Sequence, residues 1–378
     1  MRDRLPHHFL FPHRFFANTV RGLPAVPAYM LHQVDVPQFE SLCATLERNR
    51  VRCITFPELL AGRGDANSIL LTFDDGWSSV WSAALPIATR YGIRFTLFLA
   101  PRCAEESAEV RTTLATGAAI EEIAPRDLGP RARLTWGEVC ALHASGVVDI
   151  QSHSTHHGVV FKSPKLRGFA TPSGPFPLNG LAPLVQRVGT GDVVEFHPAP
   201  GTPLYEWGPA LTVARRFIEP ADIREKCVQR AREGGAGFFA EENWQASLRD
   251  IAEGSPEIES SPERWESDEA RRERLRLDLE GSRRLIESRL PGAQVTVLAP
   301  PWAEVDATLP DIARDAGYRL LVLGYPFHVG HLESSLPLYP RLFGDASWIS
   351  ALGTIRGAPR WWHARSRALQ RRRAGAVP

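Results

Sequence analysis

The octapeptide ILLTFDDG (69–76) joins a short apolar run to two adjacent carboxylates, Asp74 and Asp75, and a glycine. A run of this length bounded by a turn signal reads as a strand buried on both faces. Gly76 permits the sharp turn that ends it. Ligands and catalytic groups collect at the carboxyl ends of parallel strands, so the two carboxylates stand where chemistry is expected. Successive residues at a turn can point in different directions, which lets one carboxylate hold a cation while its neighbour takes a proton. Two anions this close also repel, and an adjacent metal relieves that. Asp-Asp-Gly by itself equally describes a solvated turn, so the motif needs a partner.

Working outward, strands and helices alternate. AVPAYMLHQV (25–34) reads as a strand, and the helix after it sets Phe39, Leu42 and Leu46 on one face. WSSVWSAALPIATRYG reads as a helix interrupted near Pro86, followed by the strand FTLFLA (95–100). Thr135 and Glu138 form a capping box that opens a helix stopping at Gly146, and VVDIQS (147–152) is the next strand. Further on, Ser261-Pro262 opens a long helix whose Leu275, Leu279, Ser282 and Ile286 share a face, with Asp268–Arg272 and Glu280–Arg284 as solvent-side pairs. VTVLA (295–299), a helix over TLPDIARDAGY and RLLVL (319–323) resume the alternation. This rhythm predicts a mostly parallel sheet or barrel. Between about 158 and 260 it breaks into Pro/Gly-rich stretches, which read as an insertion and not a repeat.

Composition narrows the class. With 43% hydrophobic and 23% charged residues the chain is globular, and 378 residues suffice for one elaborated domain or two. A formal net charge of +1 gives no global field to recruit nucleic acid. The five cysteines lack any CxxC spacing, so neither a disulfide framework nor a thiolate zinc site is expected, and a reducing compartment fits. The opening MRDRLPHHFLFPHRFF lacks the apolar core of a secretory signal, and no run reaches the ~18 apolar residues of a membrane span. The expected location is the cytoplasm. RWWHARSRALQRRR (360–373) combines Trp361 and Trp362 with arginines, which suits either peripheral contact with anionic lipid at the inner face of the membrane or a solvated basic tail.

The partner for Asp74-Asp75 is HSTHH (153–157), directly after another strand. One helical turn brings i and i+4 side chains together, so His153 and His157 can meet one ion at about 2.0–2.1 Å. A carboxylate, two imidazoles and an open coordination position make the ligand set of a hydrolytic zinc site.

With both motifs in place, in order, the chain resembles the polysaccharide deacetylase (NodB-homology) superfamily, closest in layout to the poly-N-acetylglucosamine deacetylase-like branch. SRRLIESRLPG (282–292) and LAPPWAEVDATLPDIARDAGY (298–318) are similar to that family's third motif and its flanking helices. The resemblance implies an α/β fold, a distorted (β/α) barrel with a large insertion between the second and third motifs. It places the barrel at 25–160 and 262–350, with a lid or cleft wall at 161–261, an N-terminal extension at 1–24 and a basic tail at 351–378.

The same resemblance implies site roles: Asp74 as catalytic base; Asp75, His153 and His157 as metal ligands; Pro301 and Trp302 lining the substrate groove, with the Trp302 amide donating to an oxyanion. His32 is similar to the early-strand histidine that protonates the leaving amine, with His328 and His331 in reserve. The arginine that often opens the third motif and orients the base is replaced by Ala299, and Arg341, grouped with the groove residues, is the candidate substitute. Zinc is the expected cofactor, with cobalt or nickel able to occupy the same set. The expected reaction is hydrolytic removal of an N-acetyl group from an amino sugar in a glycan or glycolipid. Two alternatives stay open: hydrolysis of a non-sugar amide or cyclic imide, and catalytically silent glycan binding. Tyr205, Trp207, Phe238, Phe239 and Trp244 could stack on sugar rings or form the insertion's own core.

Overall fold

The computed structural model describes residues 26–65, 67–172, 182–187, 191–253, 262–324 and 334–343. In chain order the first elements are β1 (Ala28–Leu31), α1 (Val36–Arg48), β2 (Arg52–Cys53), α2 (Phe56–Leu60), β3 (Ser68–Asp74), α3 (Leu85–Arg90) and β4 (Phe95–Leu99). α4 (Ile120–Leu128), α5 (Trp136–Ala144), β5 (Val148–Ser152), β6 (Val159–Phe169), β7 (Val185–Arg187), β8 (Val193–Glu195) and β9 (Pro203–Pro209) follow. The chain continues through α6 (Ala221–Glu233), α7 (Trp244–Glu253), α8 (Asp268–Arg289), β10 (Val297–Leu298), α9 (Leu309–Asp315), β11 (Leu320–Gly324) and β12 (Leu338–Phe343).

The main sheet runs β1-β12-β11-β10-β5-β4-β3-β2, and β1 also pairs with β3, so seven strands close into the expected (β/α) barrel with β2 as an appendage on β3. The β1–β12, β1–β3, β2–β3, β5–β10 and β10–β11 pairs are parallel. Burial on both faces explains why these strands read as unbroken apolar runs: every residue of β3, β4 and β11 is buried. The fold has two compact units, Met1–Leu97 with Glu105–Asp149 and Pro340–Pro378, and Phe98–Ala104 with Ile150–Tyr339. β4, β5 and β12 each run from one unit into the other.

In the first unit, Phe73 stacks edge-on against Phe39 and Phe95 at 5.5 and 5.1 Å, tying α1 and β4 to the strand that ends in the two carboxylates. The interruption near Pro86 takes the form of a π-turn, Val80–Ala84, after which Pro86 sits in the first turn of α3, where its missing N–H costs nothing. The Thr135–Glu138 capping box is present at α5.

In the second unit, α8 buries Leu275, Leu279, Ser282 and Ile286 on one face, and each such Leu or Ile contributes about 1.5–3 kcal/mol. Its start differs from expectation. Residues 262–264 form a separate 3-10 turn, and Ser267 caps the helix by accepting from the Ala270 amide. Asp268 and Glu269 then lie in the first turn, where the helix dipole favours anions. Glu280 pairs with Arg284 at 3.6 Å, as expected.

Residues 159–253 of that unit build two antiparallel pairs, β6–β9 and β7–β8, and the α6–α7 layer. Tyr205 and Phe238 are buried in the cores of these pieces, and Trp207, Phe239 and Trp244 pack against the same clusters, so these aromatics serve as core. Among the described residues no helix is long and apolar enough to cross a membrane. The N-terminal extension, the basic tail, His328 and His331 lie outside the described residues.

Candidate metal centre

β3 delivers Asp74 with extended backbone, and then the chain reverses: Asp75 has φ 72° and Gly76 φ 80°. Aspartate tolerates this left-handed conformation better than most residues. The reversal sends the two carboxylates different ways. Leu70, Thr72 and Asp74 share one face of β3 by the two-residue period of a strand. From β12, Arg341 reaches that face across β1, where Ala28 stands opposite both Leu70 and Arg341. Its Nη1 donates to Thr72 Oγ1 (2.9 Å) and Asp74 Oδ1 (2.6 Å), and its Nη2 to Asp74 Oδ2 (2.8 Å). The Arg341 side chain is 0% exposed and that of Asp74 2%. Arg341 therefore has no surface to offer a substrate. Buried as it is, it does not line a groove, and its guanidinium grips both oxygens of Asp74.

Asp75 is held separately. Trp77 Nε1 donates to its Oδ2 (3.1 Å), and Arg133 Nη1 donates to its main-chain carbonyl (3.1 Å) while lying 4.0 Å from Oδ2.

His153 follows β5 and is 2% exposed, its amide bonded to Leu99 O at 2.9 Å. Its Nδ1 lies 2.6 Å from the carbonyl of Ala299, which can only accept. Nδ1 therefore carries the proton, and Nε2 is left as the ligand atom. The two histidines do not meet through a helical turn. Residues 153–158 have no helix, and Ser154 and His157 adopt left-handed φ of 65° and 53°. The turn is pinned at Thr155, whose amide donates to Asp278 Oδ1 (2.9 Å) and whose hydroxyl donates to the Asp278 carbonyl, and by the His157 amide on Ser154 Oγ (3.1 Å). The outcome is still a convergent pair, with rings 5.1 Å apart.

Asp75, His153 and His157 each present one ligand atom, and the three atoms lie within 4.8 Å of one another. Donors around a tetrahedral divalent ion at 2.0–2.2 Å sit about 3.3–3.6 Å apart, the same scale as this spacing. One carboxylate and two imidazoles, one of them with its tautomer fixed by a carbonyl, fit such an ion chemically.

Trp302 is half-buried, with its ring 4.3 Å from that of His157 and packed against the Phe161–Tyr205–Phe217 cluster. Pro301 is buried, so of the two expected groove residues only Trp302 presents ring surface. Of the six described non-glycine residues with positive φ, five (Asp75, Ser154, His157, Trp302 and Ala303) belong to these motifs. Strained backbone concentrated in this way marks functional sites. His32 directly follows β1, whose last pair is Leu31 with Phe73, so it leaves the barrel at the level of Asp74, and it is half-buried.

Trp77, Arg133 and Asp278 were not legible as site residues. Trp77 adjoins the motif, but nothing local marks its indole as a donor; Arg133 and Asp278 arrive from distant segments.

A polysaccharide deacetylase family model matches residues 61–167, a span that includes both TFDDG and HSTHH. No protein of curated function matched the chain. Among solved structures, the chain is similar to the BpsB deacetylase domain from Bordetella bronchiseptica (15% identity, 86% of this chain and 98% of that one, TM-score 0.48). A de-N-acetylase from Aggregatibacter actinomycetemcomitans is similar at 15% identity over 86% and 98% (TM-score 0.45), and IcaB from Ammonifex degensii at 14% over 87% and 95% (TM-score 0.38). The similarity to the polysaccharide deacetylase family model thus covers the segment that holds both candidate motifs.

Proposed function

We propose that this chain is a divalent-metal-dependent hydrolase that removes the acetyl group from an N-acetylated amino sugar in a glycan or lipid-linked saccharide. The observation that carries the reading is the convergence of Asp75, His153 and His157 beside a second carboxylate, Asp74, clamped by a buried arginine. Asp75, His153 and His157 would hold zinc, cobalt or nickel, which would supply Lewis acidity toward the acetyl carbonyl and water.

The chain's own residues do the rest. Asp74, held by both guanidinium nitrogens of Arg341, draws a proton from the attacking water. The bidentate clamp keeps it from rotating away. The Trp302 amide donates to the oxyanion as the carbonyl carbon becomes tetrahedral. His32 gives a proton to the amide nitrogen as the C–N bond breaks, releasing acetate and a free amine. The alanine at position 299 favours a silent glycan-binding protein; the grip of Arg341 on Asp74 from another strand supports the hydrolytic reading instead.

The test is mass spectrometry of N-acetylated hexosamine oligomers and glycolipids after incubation with zinc-loaded protein. The expected product is lighter by about 42 Da per site, the mass of an acetyl group exchanged for hydrogen. Full mass retention by every N-acetylated saccharide, with cleavage of a cyclic imide instead, would move the chain to the other hydrolase class.

A further inference from the structure

We propose that Trp77 and Arg133 are positioning residues for the metal-binding carboxylate of Asp75, fixing its rotation and its backbone. The proposal rests on the assignment of Asp75 as a ligand made above.

A carboxylate turns about its last torsion with little preference, and Asp75 adds a left-handed backbone that few residues hold unaided. Three contacts remove that freedom. The indole N–H of Trp77 donates to Oδ2. The guanidinium of Arg133 donates to the Asp75 carbonyl and stands 4.0 Å from the same Oδ2. It also lies over the Trp77 ring, 4.2 Å from the centroid, so each of the two side chains holds the other.

The clamp is built into the fold. Trp77 and Arg133 form an antiparallel bridge, flanked by Ser78 N to Ala132 O (2.8 Å) and Leu134 N to Gly76 O (2.9 Å). Residues 131–134 thus lie as a strap along the Asp-Asp-Gly turn. Arg111 anchors the strap by donating to the carbonyls of Arg131 (2.7 Å) and Arg133 (2.6 Å), and is itself gripped by both oxygens of Glu138, whose side chain is 0% exposed. Beyond the turn, Asp127 accepts from Ser78 Oγ (2.7 Å) and Ser79 N (3.0 Å). Partners of this kind on a metal ligand set its orientation, and losing one typically lowers metal affinity by about 10–100-fold.

The experiment is competition of the full chain against a chromophoric zinc chelator, with melting of the metal-free protein measured in parallel. Trp77→Phe keeps the ring packing and the cation–π stack but removes the N–H; Arg133→Lys keeps a charge, and Arg133→Met does not. The expected result is a fall in zinc affinity of about 10–100-fold for Trp77→Phe and Arg133→Met, a smaller fall for Arg133→Lys, and unchanged metal-free melting. Turnover of the two weakened variants should recover in excess zinc. Trp77→Phe and Arg133→Met binding zinc as tightly as the wild type would overturn the clamp, and so would affinity losses confined to variants whose metal-free melting also drops. A wild-type chain that takes up no zinc would instead overturn the ligand assignment of Asp75 itself.

Discussion

Replacing Arg341 by methionine removes the guanidinium bonded to both oxygens of a carboxylate that is itself 1% exposed. Breaking a buried ion pair from one side leaves an uncompensated charge in a medium that solvates it poorly, at a cost of about 3–5 kcal/mol. The Arg341 geometry places the variant at the upper part of that range. Both carboxylate oxygens lose a short donor, and Thr72 Oγ1 loses one as well. Methionine fills similar volume, so little of the loss comes from a cavity. Taking about 3 kcal/mol/M for the urea dependence, a loss of 4 kcal/mol moves the unfolding midpoint down by roughly 1.3 M.

The decisive assay is the double-mutant cycle. Asp74→Asn alone leaves the guanidinium buried without its counter-charge and should cost a comparable amount. In Asp74→Asn/Arg341→Met neither charge remains, so the pair should be more stable than the summed singles by about 3 kcal/mol. Coupling within about 0.5 kcal/mol of zero would refute the reasoning, because the two side chains would then be acting independently. A full-strength coupling together with wild-type turnover in Arg341→Met would leave the ion pair standing and remove its orienting role.

Asp74→Asn should abolish acetate release while zinc content, read by elemental analysis, stays at the wild-type level; retained turnover would remove Asp74 as the base. His32→Gln should slow turnover by about 10²–10⁴-fold without loss of zinc, the range for removing a general acid, and a rate within twofold of wild type would return that role to another group. Glu266 offers an independent test of the second unit. Burial raises its pKa, but the Arg274 guanidinium, bonded to both oxygens, and Arg216 outweigh that, so the folded value lies below the ordinary glutamate value. A depressed carboxylate contributes stability above its unfolded pKa and loses it as pH falls through the folded one. Glu266→Gln should therefore destabilise the protein at pH 7 and lessen its loss of stability below about pH 4.5, seen in denaturant melts across that range; parallel wild-type and variant curves would exclude the assignment.

β3, β4 and β11 were readable because they are covered on both faces, and such a strand is apolar without interruption, whereas β12, partly exposed, was not read as a strand. Helix starts were less so: Ser261-Pro262 and Ser267-Asp-Glu are both N-terminal signals six residues apart, and the helix begins at the second, where the Ser267 hydroxyl accepts from the Ala270 amide. The histidine pair was legible by its spacing and misread in its conformation. Four residues apart fits one helical turn, yet here two left-handed residues and the anchorage of Thr155 on Asp278 do the work.

The amino-acid sequence by itself determined which side chains stand at strand ends: Asp74 and Asp75 after β3, His153 and His157 after β5. Periodicity, turn residues and spacing are properties of neighbouring residues, and they suffice for that. Only the tertiary structure decided what holds those groups. Arg341 lies 267 residues from Asp74, Asp278 lies 123 from Thr155, and Arg133 lies 58 from Asp75. A bond across such distances depends on which strands become neighbours and in what register. The pairing of β1 with both β3 and β12 settles that for Asp74, and no local pattern encodes it.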